Sequence, residues 1–208
     1  AGGQSGSSLH SAMNQLWSLD LSKRGDNYPA QKPEEFTWKE HKDIPWRPRA
    51  FNLTVTQHNG FHDCVYVMSG RRQDADAEGL EGVEFLTDVW EFSPKTNHWR
   101  KRADMPRPMV AGTALGYKQS HIFVLSGADG SMWGKADALK DDHPGFPKNS
   151  YAYHTITDTW VSAGNTPSNQ VTTIAVKWGD AIIIPSGEVR PRVRSPQIWH
   201  VKPISPDR

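Results

Sequence analysis

The sequence repeats a short apolar run that ends in two small residues, and its clearest copy is CVYVMSG at residues 64–70. Further copies are IFVLSG at residues 122–127 and AIIIPSG at residues 181–187, and Gly2-Gly3 is interpreted as the end of a fourth. Each run is rich in β-branched and aromatic residues, and the glycine at its end permits a positive φ as the chain leaves a sheet. Self-similarity of this kind indicates a repeat architecture made of short buried strands.

Aromatic residues recur in step with these runs. A strand bearing an aromatic side chain follows each run, with Trp17, Trp90, Tyr153 and Trp199 in that place. A second aromatic follows in the first three units, and the spacing is 61 residues both from Trp38 to Trp99 and from Trp99 to Trp160. Prolines keep the same spacing at Pro45, Pro106 and Pro167. We interpret the tryptophans as packing residues of the scaffold.

Each unit is predicted to hold four short antiparallel strands, designated a to d from the centre outward. In the second unit strand a lies near residues 51–57, b at 64–68, c at 88–92 and d at 98–101. Strand b is apolar on both faces, which indicates a neighbouring sheet on each side. The fold class is therefore all-β, a β-propeller with about four blades present of a ring expected to have about six.

We expect a single domain over residues 1–208, truncated at both ends. It would consist of a partial blade at 1–46, two blades at 47–106 and 107–167, and a partial blade at 168–208. The missing blades would come from the parent chain. Excess length lies between strands b and c, notably at residues 71–87 and 128–149, and long loops of this kind often carry function.

Composition excludes several classes of function. The 24 Lys and Arg residues nearly balance the 23 Asp and Glu residues, so no basic field favours nucleic acid or an anionic membrane. The single cysteine, Cys64, excludes an internal disulfide and a cysteine-pair metal site, and the nine histidines lack metal-ligand spacing. We expect no cofactor, no metal, no nucleic-acid partner and no membrane partner.

Strand direction predicts where chemistry could lie. Because the strands alternate in direction, the b–c loops and the d–a connections open on one face, which is the predicted mouth. The d–a connections contribute Arg49, Arg107, Asn169 and Gln170, and the last b–c loop contributes Glu188. A carboxylate beside several guanidinium groups could bind an anionic ligand and move a proton. We therefore predict that Arg49, Arg107, Asn169 and Gln170 contact the substrate.

These motifs resemble a general class of repeat and, more closely, one enzyme family. The paired small residues and spaced aromatics resemble kelch repeats over nearly the whole chain. SGEVRPRVRSPQIW at residues 186–199 is similar to the signature of the bacterial sialic acid mutarotases, the N-acetylneuraminate epimerase family, with Gly187, Glu188, Pro191 and Arg194 in the matching places. DVWEFSPKTNHW at residues 88–99 resembles the c–d turn of that family. Arg192 stands where a small residue is usual, and Ser195 replaces a threonine or similar residue.

The resemblance implies a small sugar acid, N-acetylneuraminate, as the substrate and a catalytic pair at Glu188 and Arg194. Such enzymes interconvert two anomers by opening and closing the pyranose ring. Glu188 is the expected general base, whereas a guanidinium rarely releases a proton, so Arg194 is expected to hold charge and to orient substrate or glutamate. The resemblance also implies a periplasmic or secreted protein.

Three other classes of protein remain as alternatives. A non-catalytic kelch module that binds a protein is compatible with the fold. A sialidase would need a Ser-x-Asp-x-Gly-x-x-Trp box, and the segment from Ser126 to Trp133 has Ala128 where the aspartate belongs. A kelch copper oxidase would need a cysteine-modified tyrosine, but Cys64 opens strand b, away from the predicted mouth.

Overall fold

The computed structural model describes residues 1–21, 36–42, 44–168 and 170–202. Regular structure in these ranges is almost entirely antiparallel β, in four successive sheets and two short hairpins. The strands are β1 (Leu16–Leu19), β2 (Trp38–His41), β3 (Leu53–His58), β4 (Asp63–Met68), β5 (Arg71–Gln73), β6 (Val83–Phe85), β7 (Val89–Ser93), β8 (His98–Arg102), β9 (Thr113–Tyr117), β10 (His121–Leu125), β11 (Asn149–His154), β12 (Thr159–Asn165), β13 (Val176–Trp178), β14 (Ala181–Pro185), β15 (Glu188–Arg190), β16 (Val193–Arg194) and β17 (Ile198–Val201). Short helical turns lie at Leu9–Ser11, at α1 (Ala136–Leu139) and at Lys140–Asp142.

The four sheets follow one another along the chain as propeller blades do. The first pairs β1 with β2, the second has the order β3-β4-β7-β8, the third the order β9-β10-β11-β12, and the fourth the order β13-β14-β17. The hairpins β5-β6 and β15-β16 lie in the b–c loops of the second and fourth sheets. These sheets confirm the predicted all-β propeller fold, and the strands of the second sheet agree with the predicted bounds to within two residues.

Successive sheets pack face to face through separate apolar cores. Strand β4 shows why strand b is apolar on both sides: Val67 packs in a core with the first sheet, whereas Tyr66 and Met68 pack in a core with the third. A third core, with Leu115, Leu125, Ile182 and Ile184, joins the third sheet to the fourth. Burial on both faces of the inner strands therefore fixes the stacking of the blades.

The three tryptophans spaced by 61 residues occupy equivalent places. Trp38 lies opposite Leu19, Trp99 opposite Phe92 and Trp160 opposite Tyr153, each on the outermost strand of its sheet. Trp99 is buried against Phe92 and Trp46, with ring centroids 4.9 and 6.1 Å away. The 61-residue spacing is thus a structural repeat, as predicted.

One aromatic in the series belongs to a different register. Trp90 lies opposite Val67 and Trp199 opposite Ile184, and the third sheet places Tyr151 opposite Val124 in the same position. The prediction that Tyr153 is equivalent to Trp90 is therefore wrong by two residues, because Tyr151 occupies that position. Both tyrosines of the YAY segment lie on the same side of β11, so the sequence pattern alone did not separate them.

Packing also differs at the first sheet. Trp17 and Trp38 are 45% and 61% exposed among the described residues, whereas they were predicted to pack within the scaffold. Neither indole belongs to one of the three apolar cores formed by the described residues.

The ends of the inner strands approach the backbone of the adjacent connection. Gly127 has a φ of 147°, and a Cβ atom there would lie 2.6 Å from backbone atoms of Met109. Gly70 and Gly187 have positive φ at the same place, as predicted for the glycines that end strand b. Any larger residue at these positions would push neighbouring main chain apart.

Main-chain hydrogen bonds join the blades near the start of strand a. The Ala111 N–H donates to the Phe51 carbonyl, and the Thr172 N–H donates to the Ala111 carbonyl, at 2.9 and 2.8 Å. These three residues share a positive φ between 53° and 58°. We call Phe51, Ala111 and Thr172 the floor residues, because they lie at the base of the cleft that the loops surround.

Of the helical turns that the structure describes, none has the length and hydropathy to cross a lipid bilayer.

Candidate functional site

A cleft of about 440 Å³ opens above the floor residues. Its walls come from the b–c loops of the second, third and fourth sheets, and the segments leading into strand a contribute its base. This arrangement agrees with the prediction that b–c loops and d–a connections share a face. The residues that line the cleft include Phe51, Arg71, Leu80, Phe85, Ala111, Ala128, Asp129, Trp133, Asp137, Thr172, Glu188 and Arg192.

Three blades present one equivalent residue to this cleft. It is the residue directly after the Ser-Gly pair, and it forms an isolated β-bridge with the residue before the floor position. The bridges are Ala50 with Arg71, Val110 with Ala128, and Val171 with Glu188. The backbone therefore directs an arginine, an alanine and a glutamate from three successive blades towards the same space.

Glu188 begins a hairpin that also carries Arg194. The two residues are paired across β15 and β16. The turn between the strands contains Pro191 and Arg192, and Arg192 is in the left-handed conformation with a φ of 66°. Arg194 Nη2 lies 3.8 Å from Glu188 Oε1, and the two side chains are 59% and 24% exposed. The contact is an ion pair without a close hydrogen bond, so the carboxylate keeps acceptor capacity for a ligand.

Arg49 lies elsewhere than the sequence suggested. Its side chain is 1% exposed, and Nη1 and Nη2 donate to the two carboxylate oxygens of Asp88 at 2.6 and 2.7 Å. Nη1 also donates to the Ser69 carbonyl at 3.0 Å. Burial alone would raise the pKa of Asp88, but hydrogen bonds and charge from Arg49 hold it below its ordinary value. The guanidinium is fully used within the blade, which removes Arg49 from the candidate ligand contacts.

Gln170 is buried for the same geometric reason. Arg49, Met109 and Gln170 each immediately precede the bridge residue of their blade, and all three side chains are almost fully enclosed. The Gln170 amide donates to the Gln197 carbonyl at 3.3 Å, and Gln170 does not line the cleft. Alternation along an extended backbone turns this position away from the mouth. The prediction of a substrate contact at Gln170 is therefore not supported by its placement.

The other two predicted contacts have different outcomes. Arg107 is mostly buried and lies behind Asp129, with Nη1 3.5 Å from Asp129 Oδ2 and 3.3 Å from Asn149 Oδ1. Asp129 itself lines the cleft, so Arg107 reaches the mouth only through that carboxylate. Asn169 lies outside the described residues and stays a prediction.

Arg71 is a cleft residue that the sequence analysis did not single out. Its guanidinium carbon lies 4.6 Å from the ring centroid of Phe51 and 4.5 Å from that of Trp133. Nε is buried and has no hydrogen-bond partner among the described residues. Burial lowers the pKa of this guanidinium, although an arginine stays cationic at neutral pH. The signal that could have found it is its place directly after Ser69-Gly70, which matches that of Glu188 after Ser186-Gly187.

Cys64 is remote from this chemistry. It is buried in β4, and its Sγ lies 3.7 Å from Glu91 Oε1. Burial, and next the negative charge of Glu91, raise the pKa of the thiol to about 12. A thiol in this setting is inert, and it lies within a blade as the sequence predicted.

Comparison with known proteins gives two matches of interest. No protein-family model matches the chain. A curated protein from Yersinia enterocolitica named N-acetylneuraminate epimerase is 24% identical over 189 residues, covering 79% of this chain and 46% of that protein. A solved structure titled "Structure of YjhT" aligns with a TM-score of 0.66 and 18% identity, over 93% of this chain and 61% of that one. The chain thus spans about half the length of the curated relative that it matches, and the structural likeness concerns the fold.

Proposed function

We propose that the cleft belongs to a mutarotase that interconverts the anomers of N-acetylneuraminate by opening and closing the pyranose ring. The observation that carries the proposal is Glu188, which lines the cleft with its carboxylate only loosely paired to Arg194. The name of the curated relative supports the sugar acid as substrate. On the resemblance alone, we extend the proposal to a periplasmic or secreted location, which cell fractionation would test.

The chemistry assigns a proton transfer to each end of the breaking bond. Glu188 accepts the proton of the anomeric hydroxyl, the bond between the anomeric carbon and the ring oxygen breaks, and a ketone forms. The ring oxygen takes a proton from water and becomes a hydroxyl. After rotation about the adjacent carbon–carbon bond, the same steps in reverse close the ring on the other face of the ketone, and the proton returns from Glu188.

Arg194 suits a supporting role in this scheme. At 3.8 Å it lies beside the carboxylate of Glu188 but does not occupy it with a close hydrogen bond. Its guanidinium holds its own proton too firmly to act as an acid. We therefore assign it to orienting Glu188 and to balancing charge.

The decisive experiment follows anomer exchange of N-acetylneuraminate by NMR in the natural full-length protein. Glu188→Gln keeps the shape and most hydrogen bonds but cannot accept the proton, so the catalysed exchange rate should fall by about 10²–10⁴-fold. Glu84→Gln is a matched control, because Glu84 pairs with Arg72 at 2.7 Å and does not line the cleft. Exchange at the parental rate in Glu188→Gln would mean that Glu188 is not the base and would favour a binding module without catalysis.

A further inference from the structure

Among the residues that the structure describes, Arg71 is a cleft cation without an acidic partner. Asp129 faces Arg107 at 3.5 Å, and Asp137 faces Arg192 at 2.6 Å. Glu188 faces Arg194 at 3.8 Å. Arg71 has no acidic partner within ion-pair distance among the residues that the structure describes, although it lines the same cleft. A partly buried guanidinium without a counter-ion indicates a place for an anionic ligand group.

We propose that Arg71 is the carboxylate-binding residue of the cleft and holds the acid group of the bound sugar. A guanidinium presents parallel N–H groups that match the two oxygens of a carboxylate. The aromatic rings of Phe51 and Trp133 contact this guanidinium, but they offer no oxygen acceptor, so its hydrogen-bonding capacity remains for a ligand.

The walls around Arg71 are built to hold it in one position. Trp133 donates its indole N–H to the Leu80 carbonyl at 3.1 Å and packs edge-to-face on Phe85 at 5.7 Å. Leu80 and Phe85 belong to the loop between strands b and c of the second sheet, whereas Trp133 belongs to that of the third. The loop of the second sheet thus fixes Trp133, which encloses the Arg71 guanidinium together with Phe51. A guanidinium held in this way loses less entropy when a ligand binds.

The placement of Arg71 relative to Glu188 fits the proposed substrate, and this step rests on the proposed function. In N-acetylneuraminate the carboxylate and the anomeric hydroxyl are attached to the same carbon. Arg71 and Glu188 occupy equivalent positions on the second and fourth sheets, and the residue between them on the third is the small Ala128. The two long side chains can therefore approach one carbon from two directions, with space left by the alanine.

The proposal distinguishes Arg71 from its neighbour. Arg72 pairs with Glu84 at 2.7 Å and with Asp74 at 2.9 Å, and it does not line the cleft. Arg72→Met is therefore a matched control for Arg71→Met, because both substitutions remove one guanidinium from adjacent positions.

The test measures binding by titration calorimetry in the natural full-length protein. The probes are the methyl ketoside of N-acetylneuraminate, which cannot open its ring, and the methyl ester of that ketoside. We expect Arg71→Met to weaken binding of the acid by about thirtyfold or more while leaving the already weak binding of the ester unchanged. Arg72→Met should bind both probes like the parent. If Arg71→Met does not fold, Arg71→Lys keeps the charge and stem and should still narrow the preference for acid over ester.

Three results would overturn the assignment. The first is parental affinity for the acid in Arg71→Met, and the second is an equal loss of acid and ester, which would make Arg71 a purely structural residue. The third is a parent protein that binds neither probe. Failure of the mutarotase proposal is distinguishable, because the locked ketoside reports binding without ring opening. A parent that does not exchange anomers, but whose acid preference depends on Arg71, would retain the carboxylate subsite alone.

Discussion

Replacement of Arg49 by methionine tests whether this arginine is structural, as its contacts indicate, or a ligand contact, as its place in the sequence suggested. Arg49→Met keeps much of the apolar stem but removes the hydrogen bonds to Asp88 and to the Ser69 carbonyl. Removal of one partner from a buried ion pair costs about 3–5 kcal/mol, since the other charge is left without compensation.

The expected cost lies at the low end of that range. The Asp88 side chain is 23% exposed, so water can reach it, and the Trp90 indole N–H still donates to Oδ2 at 2.7 Å. We therefore expect a loss of about 3 kcal/mol in the free energy of unfolding. For a domain of this size that corresponds to a fall in Tm of about 6–12 °C.

Urea unfolding of the parent and of Arg49→Met measures this directly. Arg192→Met serves as the control, because its ion pair with Asp137 is largely exposed and should contribute at most about 1 kcal/mol. Adding Asp88→Leu to Arg49→Met should recover part of the loss, since the stranded charge disappears. Unchanged stability together with weaker binding of the sugar acid would refute the reasoning and return Arg49 to the ligand site.

Two further predictions concern the blades. Gly127→Ala should lower the free energy of unfolding by about 3 kcal/mol or more, because its Cβ would meet the Met109 backbone. Gly79 also has a positive φ but has open space around it, so Gly79→Ala should cost only about 1–2 kcal/mol. Equal losses for the two variants in urea unfolding would count against the close approach at Gly127. Burial would raise the pKa of Asp88 and Glu91, but their hydrogen bonds hold both pKa values below the ordinary ones in the folded protein. The unfolded chain therefore binds protons more readily than the folded one. We expect the protein to lose stability as pH falls below about 4. Thermal melts between pH 3 and pH 6 should show a shallower fall for Asp88→Asn, and an unaltered slope would contradict the role of that carboxylate.

The fold was readable from the sequence because its signals are local and repeated. Strand b must be apolar on both faces wherever blades stack, and Trp99 and Trp160 must recur where outer strands pack, so the repeat predicts both. The error at Tyr153 arose because Tyr151 shares its face and differs only in cross-strand register. Register depends on partners distant in sequence, which a linear pattern does not contain.

The candidate site was only partly readable for a related reason. Glu188 was found because it belongs to a motif, and the shared face of the loops followed from strand direction. Arg49 and Gln170 were assigned to the mouth by their connection, but side-chain direction within a connection depends on each peptide's orientation, and both point into the blades. Arg71 was missed because adjacent arginines look alike in sequence, and only the structure separates the one in the cleft from the one in surface ion pairs.

The floor of the cleft has a consequence for how such a protein can change over evolutionary time. The blades are joined there by peptide groups, from Phe51 to Ala111 and from Ala111 to Thr172, and no side chain takes part in those bonds. An aromatic, a methyl and a hydroxyl side chain already occupy the three places. Substitutions at these positions can therefore change the shape of the cleft one residue at a time, while the main-chain hydrogen bonds that hold neighbouring blades together are kept.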